Sequence, residues 1–246
     1  MLNSLSPEER NKKYPDLCAE KAQVYGNIYF YKPFPKQLPV HSDVSGVINC
    51  TGNNSGGKSY VTAAYIAEEV TGGSQYRDVI IPKFGIKTIW IITANYGIQT
   101  SSSQPLLFSN EYAPTKDVGL LPTLANIEQY GGEVVWEKTK KHGILRSVLM
   151  PDRKTMIEFK SMESGSFSMA GAAVDLVWVD EICSQEIYNE LVTRVLRKNG
   201  RIIMSYLVGG KPVNKEIPGE WVVKDLYPQY EEDMERNKTS HLSFRS

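Results

Sequence analysis

The residues best suited by type and spacing to do chemistry fall in two short stretches. The first, Gly52-Asn53-Asn54-Ser55-Gly56-Gly57-Lys58-Ser59, fits G-x-x-x-x-G-K-[ST] in full. In that pattern successive backbone N–H groups turn into an anion-sized concavity, and a helix N-terminus adds the positive end of its dipole. Gly52, Gly56 and Gly57 permit torsions and a close backbone approach that a Cβ would hinder. Lys58 places a point charge on the β- and γ-phosphates, and the Ser59 hydroxyl is a ligand for Mg²⁺. The whole stretch from Gly52 to Ser59 is therefore read as nucleotide-binding.

The second stretch is Val174-Asp175-Leu176-Val177-Trp178-Val179-Asp180-Glu181. A nearly continuous apolar run suits a strand buried in a parallel sheet. Ligands sit at the carboxyl ends of such strands. Asp180 there would hold Mg²⁺ through its water shell, and Glu181 would orient or deprotonate an attacking water. A second carboxylate beside the first points to hydrolysis. The guanine-selecting pattern Asn-Lys-x-Asp is absent, since Asn214-Lys215-Glu216 and Asn237-Lys238-Thr239 do not fit it. ATP with Mg²⁺ is the expected ligand pair.

The elements that must position these residues are legible from apolar patterning. Gly46 to Cys50 reads as a buried strand leading into the loop, and Tyr60 to Val70 has helical spacing and stops at Thr71-Gly72-Gly73. Lys87 to Thr93 is a second buried strand. The region from Ala94 to Glu133 reads as irregular, with one short helix around Pro122 to Tyr130. Ile144 to Met150 and Thr155 to Met162 are strands joined by a turn at Pro151-Asp152-Arg153-Lys154. Val174 to Val179 is a strand, Ser184 to Arg197 a helix stopped by Asn199-Gly200, and Arg201 to Tyr206 a further strand. Strands alternating with helices predict a mostly parallel central sheet flanked by helices, an α/β fold of the P-loop ATPase, RecA-like kind. Residues 1–30 read as a polar helical lead-in, with Ser6 as cap, Pro7 at the first position and Glu9 three residues after the cap.

Bulk properties narrow the function classes. A chain of 246 residues can build one large domain with a full core. No stretch approaches the ~20 apolar residues needed to span a bilayer, and the N-terminus lacks a secretion pattern, so no membrane association and a cytoplasmic location are expected. Cys18, Cys50 and Cys183 are too scattered for a disulfide framework or a zinc site. Lysines and arginines balance aspartates and glutamates at 28 each, so any grip on nucleic acid must be local. Lys138-Thr139-Lys140-Lys141-His142 is either such a patch or a solvated loop.

Taken in order, these motifs resemble the ATPase domain of the large terminase subunit of tailed bacteriophages, over about residues 31–227. Four features carry the resemblance. Tyr31-Lys32-Pro33-Phe34-Pro35-Lys36-Gln37-Leu38 looks like the family's segment whose glutamine, here Gln37, reads the adenine edge. The loop with Asn53 and Asn54 is similar to the family's Gly-x-Asn context. Met156-Ile157-Glu158-Phe159-Lys160-Ser161, then Phe167-Ser168-Met169-Ala170-Gly171-Ala172-Ala173-Val174-Asp175 and the acidic strand, form the most terminase-like part. Gly200-Arg201-Ile202-Ile203-Met204-Ser205-Tyr206-Leu207 resembles the strand that couples hydrolysis to movement, with Ser205 as the coupling hydroxyl and Leu207 in place of a second one.

The resemblance implies an ATP-hydrolysing motor that drives double-stranded viral DNA into a capsid through the portal protein, in the host cell cytoplasm, alongside a small terminase subunit. It implies a ring of copies on the portal and a monomer in solution. Some terminases carry an arginine where this chain has Ala170, so the charge-stabilising arginine is sought among Arg194, Arg197, Arg201 and Arg153, with Arg194 preferred. Residues 228–246 are expected to begin a linker or lid subdomain, and the family's nuclease domain is not expected within this chain. The alternatives are other P-loop NTPases: a helicase-like translocase, or a small-molecule kinase or nucleotide switch.

Overall fold

A computed structural model describes residues 9, 12–13, 15–52, 57–82, 85–109, 111, 113–138, 143–207, 219–237 and 240–245. Asn53, Asn54, Ser55 and Gly56 of the loop, Ser6 and Pro7 of the lead-in, and residues 139–142 of the basic run lie outside them.

Among the described residues, eight strands form one sheet: β1 Val47–Thr51, β2 Lys87–Thr93, β3 Glu133–Lys138, β4 Gly143–Leu149, β5 Thr155–Ser161, β6 Leu176–Asp180, β7 Arg201–Tyr206 and β8 Leu242–Arg245. Their order is β3-β4-β5-β2-β6-β7-β1-β8. From β5 to β8 all pairings are parallel, and β3, β4 and β5 pair antiparallel. The α-helices placed in full among the described residues are α1 Pro15–Tyr25, α2 Leu38–His41, α3 Lys58–Thr71, α4 Tyr96–Ser101, α5 Ser103–Phe108, α6 Leu124–Gln129, α7 Gln185–Leu196 and α8 Tyr227–Asn237.

Both faces of the central strands are covered, which is why β6 and its neighbours are so strongly apolar. Leu176 and Trp178 pack in one core layer with Ile89, Ile91, Ile203 and the buried face of α3. Val177 and Val179 pack in the other, with Trp90, Ile92 and α7's Ile187, Leu191 and Val195. Ile91 is fully buried at the centre of β2. Ile91→Val should cost about 0.5–1.5 kcal/mol of stability through the methylene lost from a packed interior, measured as a shift in the urea midpoint at unchanged slope.

The far end of α3 is tied down by charge. Glu69 is fully buried and meets Arg77, Lys87 and Arg201, while neighbouring Glu68 pairs with Arg77. Several cations around these carboxylates offset the desolvation that one pair alone would not.

Two parts of the chain differ from the reading of the sequence. Among its described residues the stretch 94–133 holds three short α-helices in place of one. Asn95 and Thr123 cap α4 and α6 by accepting from Ile98 N and Asn126 N, and a break at Ser102 (φ −120, ψ −82) separates α4 from α5. Six-residue helices complete too few turns to print an apolar period, so caps and tertiary packing decide them. Strands β3 and β8 were also not expected. β3 is an outer strand with Val135 and Trp136 half exposed, and β8 has four residues. Residues 228–237 lie within α8, and β8 adds to β1 in register from Val47↔Leu242 to Cys50↔Arg245. There Asn49 Nδ2 donates to Ser243 O (3.1 Å) and Arg245 Nε to Asp43 Oδ2 (2.7 Å).

Candidate functional site

Parallel pairing brings the carboxyl ends of β1, β6 and β7 to one edge, with the N-terminus of α3 facing them. Cys50 pairs with Ser205, and Ser205 with Asp180. Gly57, at φ 77, caps α3 in the left-handed region where a side chain would be strained. Lys58 and Ser59 are the first two residues of that helix.

Asp180 is the hub. Its Oδ1 accepts from Ser59 Oγ at 2.9 Å and Ser205 Oγ at 3.0 Å, and its Oδ2 from Ser102 Oγ at 3.3 Å. Ser205 Oγ in turn accepts from Trp178 Nε1 at 2.9 Å, inside the core. Burial of Asp180 raises its pKa, and the three hydroxyls and the charge of Lys58 oppose that rise. Lys58 Nζ lies across the loop, 3.1 Å from Gly52 O.

Glu181 follows at the mouth of the site, exposed to solvent. Its φ is 76, a left-handed conformation that costs a non-glycine residue roughly 1–3 kcal/mol and persists only where surroundings dictate it. One restraint is its N–H, which donates to Ser205 O at 2.9 Å. Desolvation, then the charge of Asp180, raises its pKa, and Lys58 opposes the rise. This is the direction that turns an ordinary carboxylate into a better proton acceptor.

Gln37 stands beside the loop. Its Oε1 accepts from Phe34 N (2.9 Å) and from the Tyr31 hydroxyl (3.3 Å), and its Nε2 lies 3.7 Å from where a Cβ on Gly57 would sit. Gln37, Gly52, Gly57, Lys58, Ser59, Asp180, Glu181 and Ser205 are thus assembled at one edge from separate parts of the chain.

Arg194 is not brought there. It is buried, its side chain is bound to Glu190 of its own helix, and its carbonyl accepts from Val174 N at the amino end of β6. Six residues of extended chain put Asp180 about 20 Å away. Arg201 is engaged with Tyr65 and Glu69, and Arg153 with Gly131 O, both at the same far end of the sheet. Arg197 is the C-cap of α7, also remote from Asp180.

The donor set fits Mg²⁺. A serine hydroxyl and a carboxylate, both hard oxygen donors, lie side by side, and Mg²⁺ ordinarily takes one or two protein oxygens and fills its sphere with phosphate and water. Among the described residues there is no group of three or more His, Cys, Asp or Glu that would form a protein-only cage.

Two contributors escaped sequence reasoning. Ser102 lies in Ser101-Ser102-Ser103, where spacing singles out no member. Trp178 reads as one more apolar strand residue, and only the β6–β7 register shows its N–H reaching Ser205.

No family model matches the sequence, and no curated protein matches it. Solved structures do. The large terminase of a thermophilic bacteriophage, in complex with ADP, aligns at 13% identity with a TM-score of 0.52, covering 86% of this chain and 44% of that one. Another crystal form of the same phage's large terminase aligns at 13% identity with a TM-score of 0.50, covering 87% and 45%. The chain thus spans somewhat under half the length of the proteins it matches, and over that span it has the P-loop α/β fold of phage large terminases.

Proposed function

We propose that this chain is the ATP-hydrolysing motor domain of a viral large terminase, powering translocation of double-stranded DNA into a capsid through the portal. One observation carries the reading: Ser59, Ser102 and Ser205 converge on Asp180, with Lys58 and Glu181 alongside, at the carboxyl edge of a sheet with the terminase fold. The ADP bound in the phage terminase of the same fold supports a nucleotide as the ligand.

The amides of loop 52–57 would cradle the phosphates, and Gln37 would meet the adenine. Lys58 exchanges the Gly52 carbonyl for β- and γ-phosphate oxygens. Ser59 and Asp180 would hold Mg²⁺, which when bound neutralises charge on the phosphate oxygens. Glu181 takes a proton from water as the water oxygen bonds to the γ-phosphorus and the bond to the ADP oxygen breaks. Ser205, bonded to Asp180 and to Trp178, would relay the loss of the γ-phosphate into β7. A ring of copies on the portal in the host cytoplasm, with the small subunit, completes the proposal. A ring needs only its inner face to be basic, which suits a chain of zero net charge.

The test is the ATPase rate against protein concentration, with and without portal-bearing capsids. A rate that rises with concentration and on capsid addition is expected. A concentration-independent, unstimulated rate would overturn the motor reading in favour of a kinase or nucleotide switch. Ser59→Ala should also weaken Mn²⁺ binding in the presence of ADP about 10–100-fold, read by electron paramagnetic resonance.

A further inference from the structure

The left-handed turn at Glu181 has to be dictated from outside its own strand and helix, and the structure shows from where. On one side β7 takes the Glu181 N–H. On the other, a segment from much later in the chain closes over the next residues. Trp221 Nε1 donates to Cys183 O at 3.0 Å across 38 positions, and the Trp221 ring lies 5.0 Å from that of Tyr188 in α7. Gly219, at φ 81, approaches Ile182 so closely that a Cβ would come within 2.8 Å of Ile182 Cδ1. Gln185 Nε2 donates to Asp225 Oδ2 at 3.1 Å. The turn after Glu181 and the start of α7 are therefore gripped at Ile182, Cys183 and Gln185. The gripping segment runs through a π-helical turn, Val222–Leu226, into α8 and on to β8 beside β1. Such turns are rare and are concentrated at functional sites.

We propose that Trp221 is a positioning residue for the water-activating carboxylate: by holding Cys183 O it sets the turn that aims Glu181, and it ties that aim to the segment carrying α8 and β8. This rests on the hydrolytic reading of Glu181 given above. Trp221 acts at one remove, because its hydrogen bond and its ring contact go to Cys183 and Tyr188 and not to Glu181 itself.

The test is a double-mutant cycle on the full chain. Trp221→Phe keeps an aromatic ring against Tyr188 and removes the N–H. It is expected to lower kcat about 10-fold, with KM for ATP and the affinity for a fluorescent ADP analogue changed less than about 2-fold, the signature of an interaction that acts in the transition state. In a Glu181→Gln background the same change should alter the residual rate less than about 2-fold, because the group being aimed is gone. Equal losses in both backgrounds, or none in either, would overturn the inference. A Glu181→Gln chain as fast as wild type sinks the hydrolytic reading and this inference with it. A slow Glu181→Gln chain beside a fast Trp221→Phe chain sinks the inference alone. If Trp221→Phe does not fold, judged by loss of analogue binding, Asp225→Ala tests the same clamp at an exposed contact. The expectation there is a roughly 2–3-fold fall in kcat with the same dependence on Glu181, and an unchanged kcat would overturn the inference.

Discussion

Glu181→Gln should bind ATP as the parent chain does and hydrolyse it at least ~100-fold more slowly, the usual size of a general-base effect. The glutamine keeps the volume, the left-handed turn and the N–H to Ser205 O, so the fold around Asp180 is left in place. What it loses is a proton acceptor. Partial desolvation at the mouth of the site and the Asp180 charge raise the pKa of Glu181 above that of an ordinary glutamate, while Lys58 opposes that shift. Binding by a fluorescent analogue and single-turnover release of phosphate separate the two effects. Near-parental hydrolysis would mean that water is activated by some other group, and the acidic pair would revert to a strand end.

Lys58→Ala should lower kcat/KM roughly 10²–10³-fold, the scale found when one preorganised donor to developing charge is removed. Arg194, Arg201 and Arg153 do not stand ready to replace it, because all three are held at the other end of the sheet, and Arg197 lies beside Arg194 at the end of α7. Unlike the change at Glu181, this one should weaken nucleotide binding as well, because on the proposed reading the ammonium would meet the phosphates in the ground state too. Analogue affinity measured beside the steady-state rate distinguishes the two. Unchanged affinity with a slowed rate would confine Lys58 to the transition state. Unchanged kcat/KM would remove it from the site.

Much of the fold is legible in the sequence, for a simple reason. Strands buried on both faces are apolar over most of their length, and β1, β2, β6 and β7 announce themselves in this way. So do α3, between its glycine start and glycine stop, and α7, capped by Ser184 and ended at Asn199 with φ 53. Elements whose stability comes from packing alone were not legible. β3 has half-exposed apolar residues at the sheet's edge, β8 is four residues long, and α4 and α5 are too short for a period.

The same division holds for the site. Sequence by itself determined the local chemistry: a glycine-rich loop opening a helix with Lys58 and Ser59, and an apolar strand ending in Asp180-Glu181. These follow from backbone torsion and charge over a few adjacent residues, and need no knowledge of distant contacts. Tertiary structure alone decided the company these residues keep. The parallel register sets Ser205 on Asp180, the break between α4 and α5 brings Ser102 to the same carboxylate, and the segment after β7 lays Trp221 over the turn that aims Glu181. It also put Arg194 far from its own chain's Asp180, since a helix running antiparallel to its strand carries its last turn back to the amino end of the sheet. Contacts across 25 to 121 positions depend on how the chain closes on itself, and residue type at one end carries no record of its partner at the other.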